Sequence, residues 1–184
     1  MIRRGVLTSV AVLAFMLSAP NLAEAQSIFF GGGVTFPVGF YGNANEVGAK
    51  TGWMVAGGLS WDLGSSGSWI YGEGFYGENK HQNSTIKTNP YGGMLGFGYS
   101  LGAPGQIGGY FFAGGGLMVH KFSSEDAPAF NDSESKFGYE LGAGGDFPLG
   151  SRVSLWVEGR YMGATDTNFF GLLAGFTIRL GSTN

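Results

Sequence analysis

The sequence contains no cysteine. That absence excludes a disulfide scaffold, a thiolate metal site, a cysteine nucleophile and a lipid-modified N-terminal cysteine. Charge is also scarce, with 12% of the 184 residues being Asp, Glu, Lys or Arg, against about a quarter in an ordinary water-facing domain. Past Gln26 no apolar run is long enough to form a membrane helix, and no helical period is sustained. Disorder is excluded by the 43% of hydrophobic residues.

What is present is glycine and aromatic side chains: 36 Gly, and 15% Phe, Trp and Tyr. Glycine costs about 1 kcal/mol relative to alanine inside a helix. Because it is spread along nearly the whole chain, a helical bundle is disfavoured. The length suits a single domain.

The N-terminal segment has the build of a secretory signal. Arg3 and Arg4 are followed by an apolar stretch and then by Ala23-Glu24-Ala25, with small residues where a signal peptidase reads. The expected organisation is therefore a signal peptide over 1–25 and one domain over 26–184. That domain holds 8 basic and 12 acidic residues, a mild acidity that predicts no nucleic-acid partner.

Within residues 26–184 the recurring pattern is alternation. Strands are expected over 27–36, 51–63, 68–77, 89–101, 108–121, 136–147, 152–162 and 168–180, an even set near the 9–11 residues that cross a bilayer at a tilt of about 45°. Connections 36–51, 77–89 and 121–136 read as long polar loops, and 64–67, 102–106 and 149–151 as tight turns rich in Gly and Pro. Long loops on one side and short turns on the other predict extracellular and periplasmic ends, with both termini periplasmic.

Side-chain parity assigns the faces. Phe170, Leu172, Ala174, Phe176 and Ile178 share one face of the last strand; Val153, Leu155 and Val157 oppose Trp156, Glu158 and Arg160 on the strand before. Phe137, Tyr139 and Leu141 likewise oppose Lys136, Glu140 and Asp146. The apolar face is expected to meet lipid. Trp53 and Trp61, Tyr91 and Tyr99, and Tyr139 and Phe147 stand eight residues apart, which spans about 20 Å along a membrane normal and predicts two aromatic girdles. A soluble lipocalin-like barrel would instead expose Gly52, Met54, Ala56, Gly92 and Gly96 to water, where lysine and glutamate are wanted.

An eight-stranded lumen is narrow enough to be filled by side chains, so a packed interior is expected. Trp69, Tyr71 and Phe75 share the inward face of Glu73 and are expected to pack over glycines of the opposite wall. Pairing through the turn near Leu149 places Glu140 opposite Glu158 or Arg160, and Asp146 near Arg152 or Ser154. A wall cluster of Glu140, Glu158 and Arg160 follows, closing the interior electrostatically.

For catalysis the candidates are His81, in a polar loop, and His120, with Ser123 or Ser124 as nucleophile. The second set matches the His and Ser that lipid-acyl-modifying outer-membrane enzymes use, but no orienting acid is specified. Glu125, Asp126, Asp132 and Glu134 read as a solvated acidic loop without a calcium-loop pattern. No catalytic, cofactor or metal residue is assigned.

The run Gly142-Ala143-Gly144-Gly145-Asp146-Phe147-Pro148-Leu149, continued by Val153 to Tyr161 with Glu158-Gly159-Arg160-Tyr161, resembles the small outer-membrane β-barrel family. This is the porin-like and OmpA-transmembrane-like group of Gram-negative bacteria. The resemblance implies an all-β, eight-stranded, antiparallel, up-and-down transmembrane barrel in the bacterial outer membrane. Phe176, Ile178 and Leu180 fit the terminal pattern read by the barrel-assembly machinery. The expected function is structural, in membrane integrity or surface interaction, by a monomer surrounded by outer-membrane lipid and lipopolysaccharide. The alternatives are a lipid-modifying enzyme using His120 and a narrow porin-like channel.

Overall fold

The computed structural model describes residues 26–43, 45, 48–82, 85–102, 106–124 and 131–180. The signal segment 1–25, Glu125 and Asp126 of the acidic loop, and the tail from Gly181 lie outside the described residues.

Eight strands form one closed sheet: β1 (Gln26–Val38), β2 (Gly52–Asp62), β3 (Ser68–Lys80), β4 (Ile86–Ser100), β5 (Gly108–Ser124), β6 (Asn131–Pro148), β7 (Val153–Ala164) and β8 (Thr167–Arg179). Every neighbour pair is antiparallel, and β1 closes on β8 from Ser27↔Arg179 to Val38↔Asn168. Closure leaves no unpaired edge, which a sheet immersed in hydrocarbon requires. One helical turn, α1 (Gly39–Gly42), follows β1.

The expected strands are all present, but those bounding the longer loops run further than composition indicated. Residues 77–89 and 121–136, expected as loops, are largely ladder: β4 begins at Ile86, β5 ends at Ser124 and β6 begins at Asn131. Polar composition marks where lipid ends, and backbone pairing continues into water. The loop asymmetry is thus replaced by a strand overhang at one end, where Lys80, Lys87, Lys121 and Glu134 sit. We take that end as extracellular. At the opposite end the β2–β3 turn uses Gly64 and Gly67 at φ of 77° and 80°, a left-handed geometry that suits glycine.

Side-chain parity holds along most of the barrel, with Trp61 and Asn89 buried although they belong to the outward set of their strands. Exposed large hydrophobics alternate along each strand, among them Phe137, Leu117 and Leu95, while their neighbours face the lumen. Tyr91, Tyr139, Phe147 and Trp53 lie on the outside as expected of girdles, whereas Trp61, between Gln26 and Ile70 in register, is 6% exposed.

The inward rings meet glycine, though not across the lumen as expected. Trp69 lies over its register partner Gly98, Phe112 over Gly142, Tyr110 over Gly144 and Trp156 over Gly175, each on the adjacent strand. A missing Cβ opens a seat directly beside the ring, and the ring lies down in it. Rings that lie along the wall do not reach the axis, so the lumen is not packed along its whole length.

Candidate functional site

β7 turns Glu158, Arg160 and Met162 inward together, because the outward Val157, Gly159 and Tyr161 separate them. Near mid-barrel Arg160 Nη1 donates to Glu73 Oε1 of β3 at 2.6 Å and to Glu140 Oε2 of β6 at 3.2 Å. Its Nε donates to Glu158 Oε1 at 2.6 Å, and Nη2 pairs with the same oxygen. Tyr71 OH donates to Glu140 Oε1 at 2.6 Å and Tyr110 OH to Glu158 Oε2 at 2.9 Å. The guanidinium carbon stands 5.3 Å from the centroid of the Phe112 ring. All four ionisable residues are buried, so each carboxyl needs the donors it has found.

The expected grouping of Glu140, Glu158 and Arg160 is therefore present, reached through a different register. Glu140 lies opposite Met162, Arg160 opposite Gly142 and Asp146 opposite Trp156. β6 extends to Pro148 and β7 starts at Val153, which shifts the pairing by two residues from the nearer of the two expected registers. A shift of two preserves the face, so the inward set survives. Asp146 instead faces Arg179 of β8 at 3.9 Å. Alternation predicts that Glu73 faces inward, but its reach across the lumen depends on barrel stagger, which alternation does not encode.

Directly on the extracellular side of this cluster lies an apolar layer. Phe75 and Met162 lie two residues beyond Glu73 and Arg160, and Met54, Met94 and Met118 join them, each of these methionines no more than 1% exposed. Met94 and Met118 both lie against Gly138. Above this layer the mouth is covered by the segment after β1. Tyr41 of α1 is buried, its carbonyl accepts from Ala49 N at 3.0 Å, and Lys50 N donates to Lys80 O at 2.7 Å. Asn79 Nδ2 donates to Thr35 Oγ1 at 3.1 Å and to Lys50 O at 2.9 Å, while His81 Nε2 and Thr88 Oγ1 are 2.6 Å apart. Burial pushes the Tyr41 phenol up to about 12. The contribution of α1 was not legible in the sequence, since Gly39-Phe40-Tyr41-Gly42 reads as loop.

On the periplasmic side the interior is a cavity of about 840 Å³ that ends at Arg160 and Glu73 and opens among the short turns.

The catalytic candidates do not assemble. His120 faces the lumen at 1% exposure, and neither ring nitrogen has a hydrogen-bond partner among the described residues. Ser123 lies on the opposite face by parity, and Ser124 is four residues further along the strand, about 13 Å away. His81 is buried beneath the mouth and not in an open loop. No group of His, Asp and Glu among the described residues could hold a metal ion.

A closed antiparallel barrel with a lipid-facing apolar exterior is what the outer membrane protein beta-barrel domain specifies, and that domain matches residues 9–179. The chain belongs to this family. It is a bacterial outer-membrane β-barrel protein of the Gram-negative type. Among solved structures, the outer membrane barrel of Ail, the attachment invasion locus protein of Yersinia pestis, has 19% identity and a TM-score of 0.57, covering 85% of this chain and 99% of that one. Neisserial surface protein A has 14% identity and a TM-score of 0.55, with 85% and 96% covered. The N-terminal β-barrel domain of Pseudomonas aeruginosa OprF has 13% identity and a TM-score of 0.55, with 85% and 98% covered. At these identities the shared property is the fold. No curated protein matches the chain in sequence.

Proposed function

We propose that the protein is a sealed membrane anchor with a structural, membrane-integrity or surface-interaction role, acting through its extracellular end and not as an enzyme. The observation that carries this reading is the buried layer of Met54, Met94, Met118, Met162 and Phe75 above the Arg160 cluster. Such a layer gives ions no polar path along the axis. A surface protein and an attachment invasion locus protein are among its structural neighbours, which supports a role at the cell surface.

In this reading residues 1–25 are a removed signal peptide and residues 26–184 insert as a monomer through the barrel-assembly machinery. Lipopolysaccharide then surrounds the extracellular rim. Planar-bilayer recording tests the seal. The wild-type protein should give no steady conductance steps, and the double variant Met94→Ala, Met118→Ala should produce them by emptying the layer. Steady unitary steps from the wild type would establish the narrow-channel alternative instead.

A further inference from the structure

The periplasmic cavity has two unlike walls. On one, Trp69 and Tyr71 of β3 and Tyr110 and Phe112 of β5 form a continuous aromatic surface, with ring centroids 5.5 to 6.4 Å apart. The remaining lining combines carboxyls and hydroxyls with the apolar side chains of Phe29, Leu101 and Trp156. Asp62, Glu73, Asp146 and Glu158 contribute carboxyls against the guanidiniums of Arg160 and Arg179, and Arg160 is further shared with Glu140. The lining thus has negative charge to spare. Serine hydroxyls, including Ser27, Ser60 and Ser154, and Thr177 extend this surface.

Arg160 already shows what the aromatic wall accepts, since its guanidinium sits over Phe112 with carboxylates on its edges. Aromatic faces attract cations through the ring quadrupole, more strongly where water is thinned. Sugar-like hydroxyls would meet the serines. Trp156 also lines the cavity and, at 5% exposure, adds a ring edge to its apolar lining. A simple alkylamine satisfies the carboxylates but leaves the serine hydroxyls of the lining without a partner in the ligand.

The geometry points to a binding site, open to the periplasm, for a small hydroxyl-bearing organic ammonium ion of the amino-sugar kind. The volume of about 840 Å³ lies within the range of small-molecule sites, about 300–1,000 Å³. The ammonium groups would lie between the aromatic wall and Asp62, Asp146 and Glu158, with the hydroxyls toward the serines. The ligand would reach the site without crossing the sealed layer above.

The test uses the full mature barrel refolded in an uncharged detergent, with intrinsic tryptophan emission and calorimetry as readouts. Kanamycin A serves as the cationic amino-sugar probe, with sucrose and spermidine as comparators. Saturable binding of kanamycin A at one site per barrel is expected, tighter than spermidine and with sucrose undetected. The variant Asp62→Asn, Asp146→Asn, altered only near the mouth, should weaken it at least tenfold, while Glu134→Gln at the other end should leave it unchanged. Folding of each variant is checked by gel mobility before boiling. No saturable binding, binding indifferent to the double variant, or sucrose or spermidine binding as tightly as kanamycin A would overturn the assignment.

Discussion

A single guanidinium, that of Arg160, touches three carboxyl groups on three strands, and among the described residues no second cation is hydrogen-bonded to them. Removing it leaves Glu73, Glu140 and Glu158 facing one another in a low-dielectric space. Arg160→Met is therefore expected to destabilise the barrel by about 3–5 kcal/mol, the cost of breaking a buried pair from one side. Adding Glu140→Gln and Glu158→Gln should recover part of it, as read by urea unfolding in lipid vesicles. Glycine offers a second contrast between two positions of similar appearance. A methyl at Gly98 collides with the Trp69 ring, whereas at Gly74 the nearest atom is the Gly92 carbonyl oxygen at 3.7 Å. Gly98→Ala should cost about 1–3 kcal/mol through overpacking. Gly74→Ala should remain within about 0.5 kcal/mol, both measured by the same unfolding assay.

At the level of strands, the sequence was most legible where lipid imposed a rule. Alternation along β6, β7 and β8 identified the outward faces, since a polar group in hydrocarbon has no partner. Where lipid ends the rule lapses, and Lys87 and Ser123 read as loop although their backbones are paired with each other. Glu140 and Arg160 were placed together because parity tolerates a two-residue slip. Glu73 and the donors Tyr71 and Tyr110 were missed as members of the cluster, because contacts across a lumen depend on stagger and not on sequence separation. The same division predicts how charge is tolerated. Leu95 is exposed on β4 midway between Tyr91 and Tyr99. Leu95→Arg should cost about 2–4 kcal/mol at this depth, and Ser123→Arg on the overhang about 0–1 kcal/mol. Vesicle unfolding titrations check both.

For the molecule as a whole, closure makes the ladder a ring in which no strand can leave without breaking two interfaces. Detergent that leaves backbone hydrogen bonds intact should leave the barrel folded. Unboiled protein is therefore expected to migrate differently from boiled protein on a denaturing gel; identical mobility would contradict a closed ring. The interior is unequal along its length, packed toward one end and hollow toward the other, because rings seated on neighbouring glycines leave the axis empty while methionines fill it.

The overhang also determines what a visitor to the cell surface meets first. β6 continues about six residues past Phe137, which raises its tip by roughly 15 Å at the usual strand tilt. That height is carried by a hydrogen-bonded ribbon shared with β5, which makes a stiff post and not a slack tether. A molecule docking against the post finds backbone already fixed in place, and little orientational freedom remains to be surrendered on contact.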